Sequence, residues 1–167
     1  MEIIENYSLK LYNTFGIDAK ANYFAEVATI QDLRKVLVFR RQKDLPILFI
    51  GGGSNMLFVD NFPGVVLKLN LKGIEIIQED DDFVYIKAQG SENWHNFVEW
   101  SLEHDFGGLE NLSLIPGNVG TTPMQNIGAY GVEVKDYIQE VQTLELETGD
   151  ERTFTKEECQ FGYRESI

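Results

Sequence analysis

Two stretches of this chain combine residue types suited to holding a polar ligand without charged side chains. The longer runs from Leu112 to Val132, L-S-L-I-P-G-N-V-G-T-T-P-M-Q-N-I-G-A-Y-G-V, and has neither a helical nor an alternating apolar period. It carries two of the four prolines and four glycines. An irregular connection of this length inside a globular chain is either functional or disordered. Disorder is the weaker choice, because Leu112, Leu114, Ile115, Val119, Met124, Ile127, Tyr130 and Val132 run through it, where a solvated linker is polar throughout. Its glycines let main-chain N–H groups approach a ligand with no Cβ in the way. Thr121, Thr122, Gln125 and Asn126 add hydroxyls and amides. That chemistry fits a cradle for a large, flat, partly polar cofactor. The shorter stretch, Gly51-Gly52-Gly53-Ser54-Asn55, follows a short apolar run, and a strand leading into glycines is the general recipe for a phosphate nest. Its spacing departs from G-x-G-x-x-G at Met56, and Pro63-Gly64 follow too soon for a long helix, so it is not a dinucleotide fingerprint. On these five residues alone, a phosphate nest and a plain glycine turn are equally good readings.

The other reactive side chains suggest less. Glu79–Asp82 reads as a solvated hairpin tip, and His95 and His104 lack partners at metal-ligand spacing, so no metal site is expected. Cys159 stands alone, which excludes an internal disulfide and suits a reducing, cytoplasmic setting. A formal net charge of −13 argues against nucleic-acid and anionic-membrane surfaces, which need clustered Lys and Arg. The same charge has a consequence for phosphate ligands: backbone amides must do most of the holding. The opening M-E-I-I-E-N-Y has no secretion signal, and no stretch reaches the length of a membrane span.

These stretches need elements to position them. The 167 residues suit one domain or two small lobes with 43% hydrophobic content. Strands are expected at Tyr23–Val27, Leu45–Ile50, Val65–Leu69, Gly73–Gln78, Phe83–Gln89, Ile138–Leu146 and Arg152–Thr155. Leu45–Ile50 reads as buried, being wholly apolar. A helix capped by Thr29 runs to about Gln42, with Arg40 and Arg41 where the dipole favours cations. A second starts near Ser91, turns Trp94, Phe97, Val98 and Ser101-Leu102 inward, and stops before Gly107-Gly108. Thr155 with Glu158 is a capping box. The result is an α+β layout of two lobes, residues 1–70 and 71–167.

Longer motifs add a resemblance. N-T-F-G-I-D from Asn13, G-G-G-S-N from Gly51, G-S-E-N-W-H from Gly90, G-L-E-N-L-S-L-I-P-G from Gly108, Q-N-I-G-A-Y-G-V-E from Gln125 and E-C-Q-F-G-Y-R-E-S from Glu158 span nearly the whole chain. In this it resembles the N-terminal, FAD-binding part of the UDP-N-acetylenolpyruvoylglucosamine reductase family, which makes UDP-N-acetylmuramate for peptidoglycan. The resemblance implies the two-lobed FAD-binding domain of the vanillyl-alcohol-oxidase (PCMH) type, with flavin in the cleft between lobes. Gly51, Gly52, Gly53, Ser54 and Asn55 would wrap the FAD pyrophosphate. Ile115, Pro116, Gly117, Gly120, Thr121, Thr122, Gln125, Asn126, Gly128, Ala129, Tyr130 and Gly131 would line the isoalloxazine and ribityl chain. Arg164, which spacing alone makes a surface ion pair, matches the family's catalytic arginine, and Tyr163 is a weaker substrate neighbour. NADPH is the implied reductant and a UDP-sugar the substrate, with a protein acid supplying the proton.

The proton-donating serine, a later glutamate and most of the UDP-sugar site belong, by the same resemblance, to a domain beyond Ile167. The chain is therefore expected to bind FAD, to lack turnover alone and to be monomeric, with association where truncation bares apolar surface. An FAD-binding domain of another oxidase of this fold, or a non-catalytic flavin module, is the alternative.

Overall fold

The computed structural model describes all residues, Met1–Ile167, and the chain divides into two compact units. The first comprises Met1–Leu71 with Leu146–Gly149, the second Lys72–Glu145 with Asp150–Ile167.

The first unit is a four-stranded sheet in the order β1-β2-β4-β3, with β1 at Ile3–Ser8, β2 at Lys20–Val27, β3 at Ile47–Ile50 and β4 at Phe62–Leu69. β1 runs antiparallel to β2, while β2 and β3 both run parallel to β4. Gly64 to Leu67 in β4 are all buried, as a central parallel strand covered on both faces requires. A Cβ on Gly64 would sit 2.2 Å from the Pro46 carbonyl oxygen, which accepts the Val65 N–H at 2.9 Å, so only glycine fits there. Between β2 and β3 lies α1, Ile30–Gln42, where the Thr29 hydroxyl accepts the Asp32 N–H as its N-cap. Leu33, Val36 and Leu37 form its buried face. Near its C-terminal end Arg40 pairs with Glu147 at 2.9 Å.

Two expectations change here. β3 is an edge strand, half-buried except at Ile50, because β4 covers only one of its sides. β1 had no expected counterpart: its polar Glu5, Asn6 and Ser8 and its half-exposed isoleucines give an edge strand with little apolar signal.

One core cluster gathers Leu9, Ala21, Phe24, Ile50, Phe58 and Val66, with Tyr7 and Tyr12 packed against it. The Tyr7 ring stacks on Phe24 with centroids 4.2 Å apart. Asn13, also buried, stitches the following turn: its amide donates to the Leu9 and Ile17 carbonyls and accepts the Ile17 N–H.

In the second unit β5, Ile74–Glu79, and β6, Val84–Ala88, form an antiparallel hairpin. The Asp80 carboxylate accepts the Asp82 and Phe83 N–H groups at its tip, so this acidic run shapes a turn. α2 spans Trp94–Glu103 and starts later than Ser91 because Asn93 is its N-cap, accepting the Asn96 N–H at 3.0 Å. Glu92 is engaged elsewhere, its carboxylate taking the Gly73 N–H at 2.7 Å. Trp94, Phe97, Val98 and Ser101 are buried as expected, whereas Leu102 is exposed, one position round the helix from the buried stripe. Leu112 and Val134 complete that core. The central stretch is not structureless: 3₁₀ turns at Val119–Thr121 and Pro123–Gln125 precede a two-residue pair, β7 at Gly128–Ala129 and β8 at Val132–Glu133. β9, Glu140–Leu144, and β10, Glu151–Thr155, form the last hairpin, followed by the reciprocal Thr155–Glu158 capping box.

The hydrogen bond between the Tyr7 and Tyr12 hydroxyls, aided by burial, pushes the Tyr12 phenol from 10.0 up to about 12. Its raised value means the folded state favours the neutral phenol. That stability is complete below pH 10 and is lost as the pH rises through about 12. Tyr12→Phe is expected to flatten the fall of the urea midpoint over that interval, leaving the lower pH range unaffected by titration at this position. An unchanged alkaline slope would contradict this assignment.

Candidate functional site

The glycine turn grows out of β3. Ile50 is buried and anchors the strand end, and the Lys68 ammonium, from the register partner of Ile50 on β4, donates to the Gly51 carbonyl. Gly53 has φ +71°, and a Cβ there would lie 2.1 Å from the Tyr12 carbonyl oxygen. Its own carbonyl accepts the Thr14 N–H at 3.3 Å. Gly53 is thus specified twice, by its backbone angle and by the approach of another chain segment. Gly52 faces open space. The main-chain N–H groups of Gly52, Gly53, Ser54 and Asn55 donate to nothing within the chain, and Ser54 and Asn55 are exposed. Neutral donors gathered on a turn are the donor set of an anion nest.

In the second unit, residues 117–120 lie alongside 90–94. The Gly117 carbonyl accepts the Trp94 N–H at 3.0 Å, supplying a partner to the first turn of α2. Val119 N–H donates to Glu92 and Gly120 N–H to the Gly90 carbonyl, both at 2.9 Å. Gly120 is required by contact: its Cβ would fall 2.9 Å from Gly90 Cα and 3.0 Å from Gly90 O. The Trp94 indole N–H donates to Leu112 O at 2.7 Å, tying the start of the loop to the same helix. Ile115 packs half-buried against this core, and Pro116 precedes Gly117, whose φ is +130°.

The loop's side chains mostly bond to the loop itself. Thr121 Oγ1 donates to Asn118 O at 2.7 Å and Thr122 Oγ1 to Val119 O at 2.8 Å. Asn126 is 2% exposed and has left-handed φ +40°; its Nδ2 donates to Gly162 O and its Oδ1 accepts the Lys135 N–H. Gln125 Oε1 accepts from Arg164 Nη2 at 3.1 Å. The structure therefore brings Gln125, Asn126 and Arg164 together, although 39 positions separate Gln125 from Arg164. Gly128 and Ala129 pair with β8, and Tyr130-Gly131, with φ +53° and +81°, make the two-residue turn between them. Tyr130 and Tyr163 project into solvent at 89% and 86% exposure.

Positive φ at Leu114, Asn126, Tyr130 and Arg164 marks the neighbourhood as strained, since residues other than glycine and asparagine seldom adopt it. No sequence signal foretold three of these four. Lys68 and His95 were also missed as contributors. His95 Nδ1 accepts the Leu114 N–H at 3.4 Å, while its Nε2 lies 3.5 Å from Glu99.

The sequence profile described as FAD binding domain matches residues 21–155. The chain belongs to the FAD binding domain family. It is 53% identical over all 167 residues to UDP-N-acetylenolpyruvoylglucosamine reductase from Flavobacterium johnsoniae, covering 49% of that protein. The enzyme of the same name from Pseudomonas aeruginosa is 47% identical over the whole chain, again across 49% of its length. The chain spans about half the length of the curated relatives it matches. Among solved structures, UDP-N-acetylenolpyruvylglucosamine reductase from Thermus caldophilus matches 99% of this chain and 56% of its own, at 25% identity and a TM-score of 0.71. The p-cresol methylhydroxylase structure, at 18% identity, 81% and 27% coverage and a TM-score of 0.59, shares the fold. So does a vanillyl-alcohol-oxidase-type flavoprotein from Myceliophthora thermophila, at 16%, 83% and 27% with a TM-score of 0.60. The α+β fold is that of the vanillyl-alcohol-oxidase type of FAD-binding domain. The residues present fit the cofactor: uncommitted main-chain N–H groups at Gly52–Asn55 suit a pyrophosphate, and no side chain fills the space at Gly52. No helix is long and apolar enough to cross a membrane.

Gly120→Ala tests the site's backbone. The new methyl would push against Gly90 main chain, which cannot swing aside, so destabilisation of about 2 kcal/mol is expected by urea unfolding. Faster amide exchange at Gly120 itself should accompany it, and full protection there would contradict the close approach.

Proposed function

We propose that this chain is the FAD-binding portion of an NADPH-dependent cytoplasmic reductase that converts UDP-N-acetylglucosamine enolpyruvate to UDP-N-acetylmuramate in peptidoglycan synthesis. Relatives of that name align along the entire chain. In this reading Gly51–Asn55 receive the FAD pyrophosphate through main-chain N–H groups, and Ile115–Thr122 with Gln125–Gly131 line the isoalloxazine and ribityl chain. The observation that carries it is the guanidinium of Arg164 resting on the Gln125 amide, which sets a permanent cation on the cofactor loop.

FAD, when bound, supplies the hydride relay between NADPH and the enolpyruvyl double bond. The chain's own residues bind and polarise. The planar donor fork of Arg164 suits a carboxylate, and drawing charge onto the enolpyruvyl carboxylate favours hydride arrival at the adjacent double bond. Tyr163, next to it in sequence and exposed, is the weaker candidate for contacting substrate. Glycine turns do the anion binding because the chain carries 27 acidic against 14 basic residues.

The test uses the full-length gene product and follows flavin colour. NADPH should bleach it and the enolpyruvyl substrate should restore it. Arg164→Ala is expected to slow the restoring step by ~10²- to ~10³-fold, the scale of losing one pre-placed electrostatic donor, and to slow bleaching far less. Equal effects on both steps would remove Arg164 from substrate chemistry. Failure of NADPH to bleach the wild-type colour would overturn the reductase reading altogether.

A further inference from the structure

Three consecutive residues of the cofactor loop each bond to the bend that carries Arg164. Met124 O accepts from Ser166 Oγ at 3.4 Å, Gln125 Oε1 from Arg164 Nη2 at 3.1 Å, and Gly162 O accepts from Asn126 Nδ2 at 2.9 Å. The bend itself closes with the Gly162 N–H donating to Glu165 O at 3.0 Å and holds Arg164 at φ +55°. The three rungs are not equivalent. Those of Ser166 and Arg164 are exposed, whereas Asn126 is buried, and its amide has a second partner, the Lys135 N–H at 3.2 Å.

Only asparagine meets every demand at position 126. The site needs a donor and an acceptor on one short planar group, and a side chain tolerant of the left-handed region. Aspartate offers no donor to Gly162 O, glycine accepts the backbone angle without the amide, and alanine does neither.

From this we infer that Asn126 is the positioning residue of Arg164, with Gln125 as the arginine's exchangeable resting partner. The rung from buried Asn126 fixes the bend against the loop, while the exposed Gln125 rung leaves the guanidinium free to move from a neutral amide oxygen to a carboxylate, which binds it more strongly. A ligand carboxylate then displaces Gln125 without moving the backbone. The cofactor loop and the arginine behave as one preassembled piece, so substrate binding need not order the bend. This inference rests on the role given to Arg164 under Proposed function.

The experiment combines residue-resolved amide exchange with kinetics on the full-length protein. Asn126→Gly keeps the left-handed backbone and removes both side-chain bonds. Asn126→Asp keeps an acceptor for Lys135 and removes only the donor to Gly162. Without substrate, both variants should let the bend open more often and so raise exchange of the Gly162 N–H, which donates to Glu165 O across the bend, about tenfold, the order of one lost hydrogen bond. Exchange at Lys135 should rise in Asn126→Gly alone. In turnover, Asn126→Gly should lower kcat for the enolpyruvyl substrate, and it should add nothing further in an Arg164→Ala background. Unchanged exchange at Gly162 in both variants would overturn the tether. So would kinetic losses from Asn126→Gly and Arg164→Ala that multiply in the double variant, because a residue acting through Arg164 has no effect once that side chain is gone. Should Arg164→Ala leave turnover intact, the role of Arg164 falls, and the Gly162 exchange still decides the tether.

Discussion

A chain of net charge −13 that belongs to a family binding an anionic dinucleotide must find its positive potential in the backbone. The rest of the structure answers that constraint. Peptide N–H groups carry a partial charge that neither titrates nor needs a counterion, and they concentrate only where a turn aims several of them the same way. Gly53 shows how tightly such a turn is specified. The Tyr12 carbonyl approaches so closely that no side chain fits, and the backbone angle excludes most residues on its own account. Lys68, the cation at the turn, is directed at the Gly51 carbonyl and so stiffens the turn from within.

The second unit solves a different problem with similar means. Residues 112–132 have little regular secondary structure of their own, yet many of their backbone groups are hydrogen-bonded. They borrow acceptors from Gly90 and Glu92, the orphan N–H of Trp94 from the start of α2, and a side-chain cap from Thr121, whose hydroxyl bonds both the N–H and the carbonyl of Asn118. A segment held by non-repeating bonds can adopt angles that a helix or strand cannot, and the left-handed residues Leu114, Asn126 and Tyr130 follow from this. Preorganised, strained backbone is what a rigid, flat cofactor needs for its donors to be in place before it binds. The bonding of Thr121 and Thr122 within the loop shows that their hydroxyls shape the backbone.

Much of this was legible in the residues. The Thr29 cap announced α1, the acidic run Glu79–Asp82 announced a hairpin tip, and Thr155 with Glu158 announced the final turn, because each signal is local and its partners lie within a few positions. The apolar residues spread through 112–132 marked the loop as ordered for a similar reason. What escaped were relations between distant residues. Nothing near Asn126 in sequence points to Gly162, nothing near Gly51 points to Lys68, and His95 gave no hint that it meets Leu114. β1 escaped on other grounds: an edge strand exposed on one side needs few apolar residues, so it leaves little pattern. The late start of α2 reflects its cap. The Asn93 side chain takes the Asn96 N–H as N-cap, while Glu92, just before it, is committed to Gly73 and Val119.

The salt dependence of FAD affinity tests the central claim most directly. Raising ionic strength from ~0.01 M to ~1 M shortens the Debye length from ~30 Å to ~3 Å. Amide donors inside an acidic protein predict an FAD dissociation constant that stays level or tightens over this range, because salt screens repulsion by carboxylates while the peptide bonds remain. A loss of affinity of tenfold or more would mean that lysine and arginine side chains hold the phosphates, and would contradict the account.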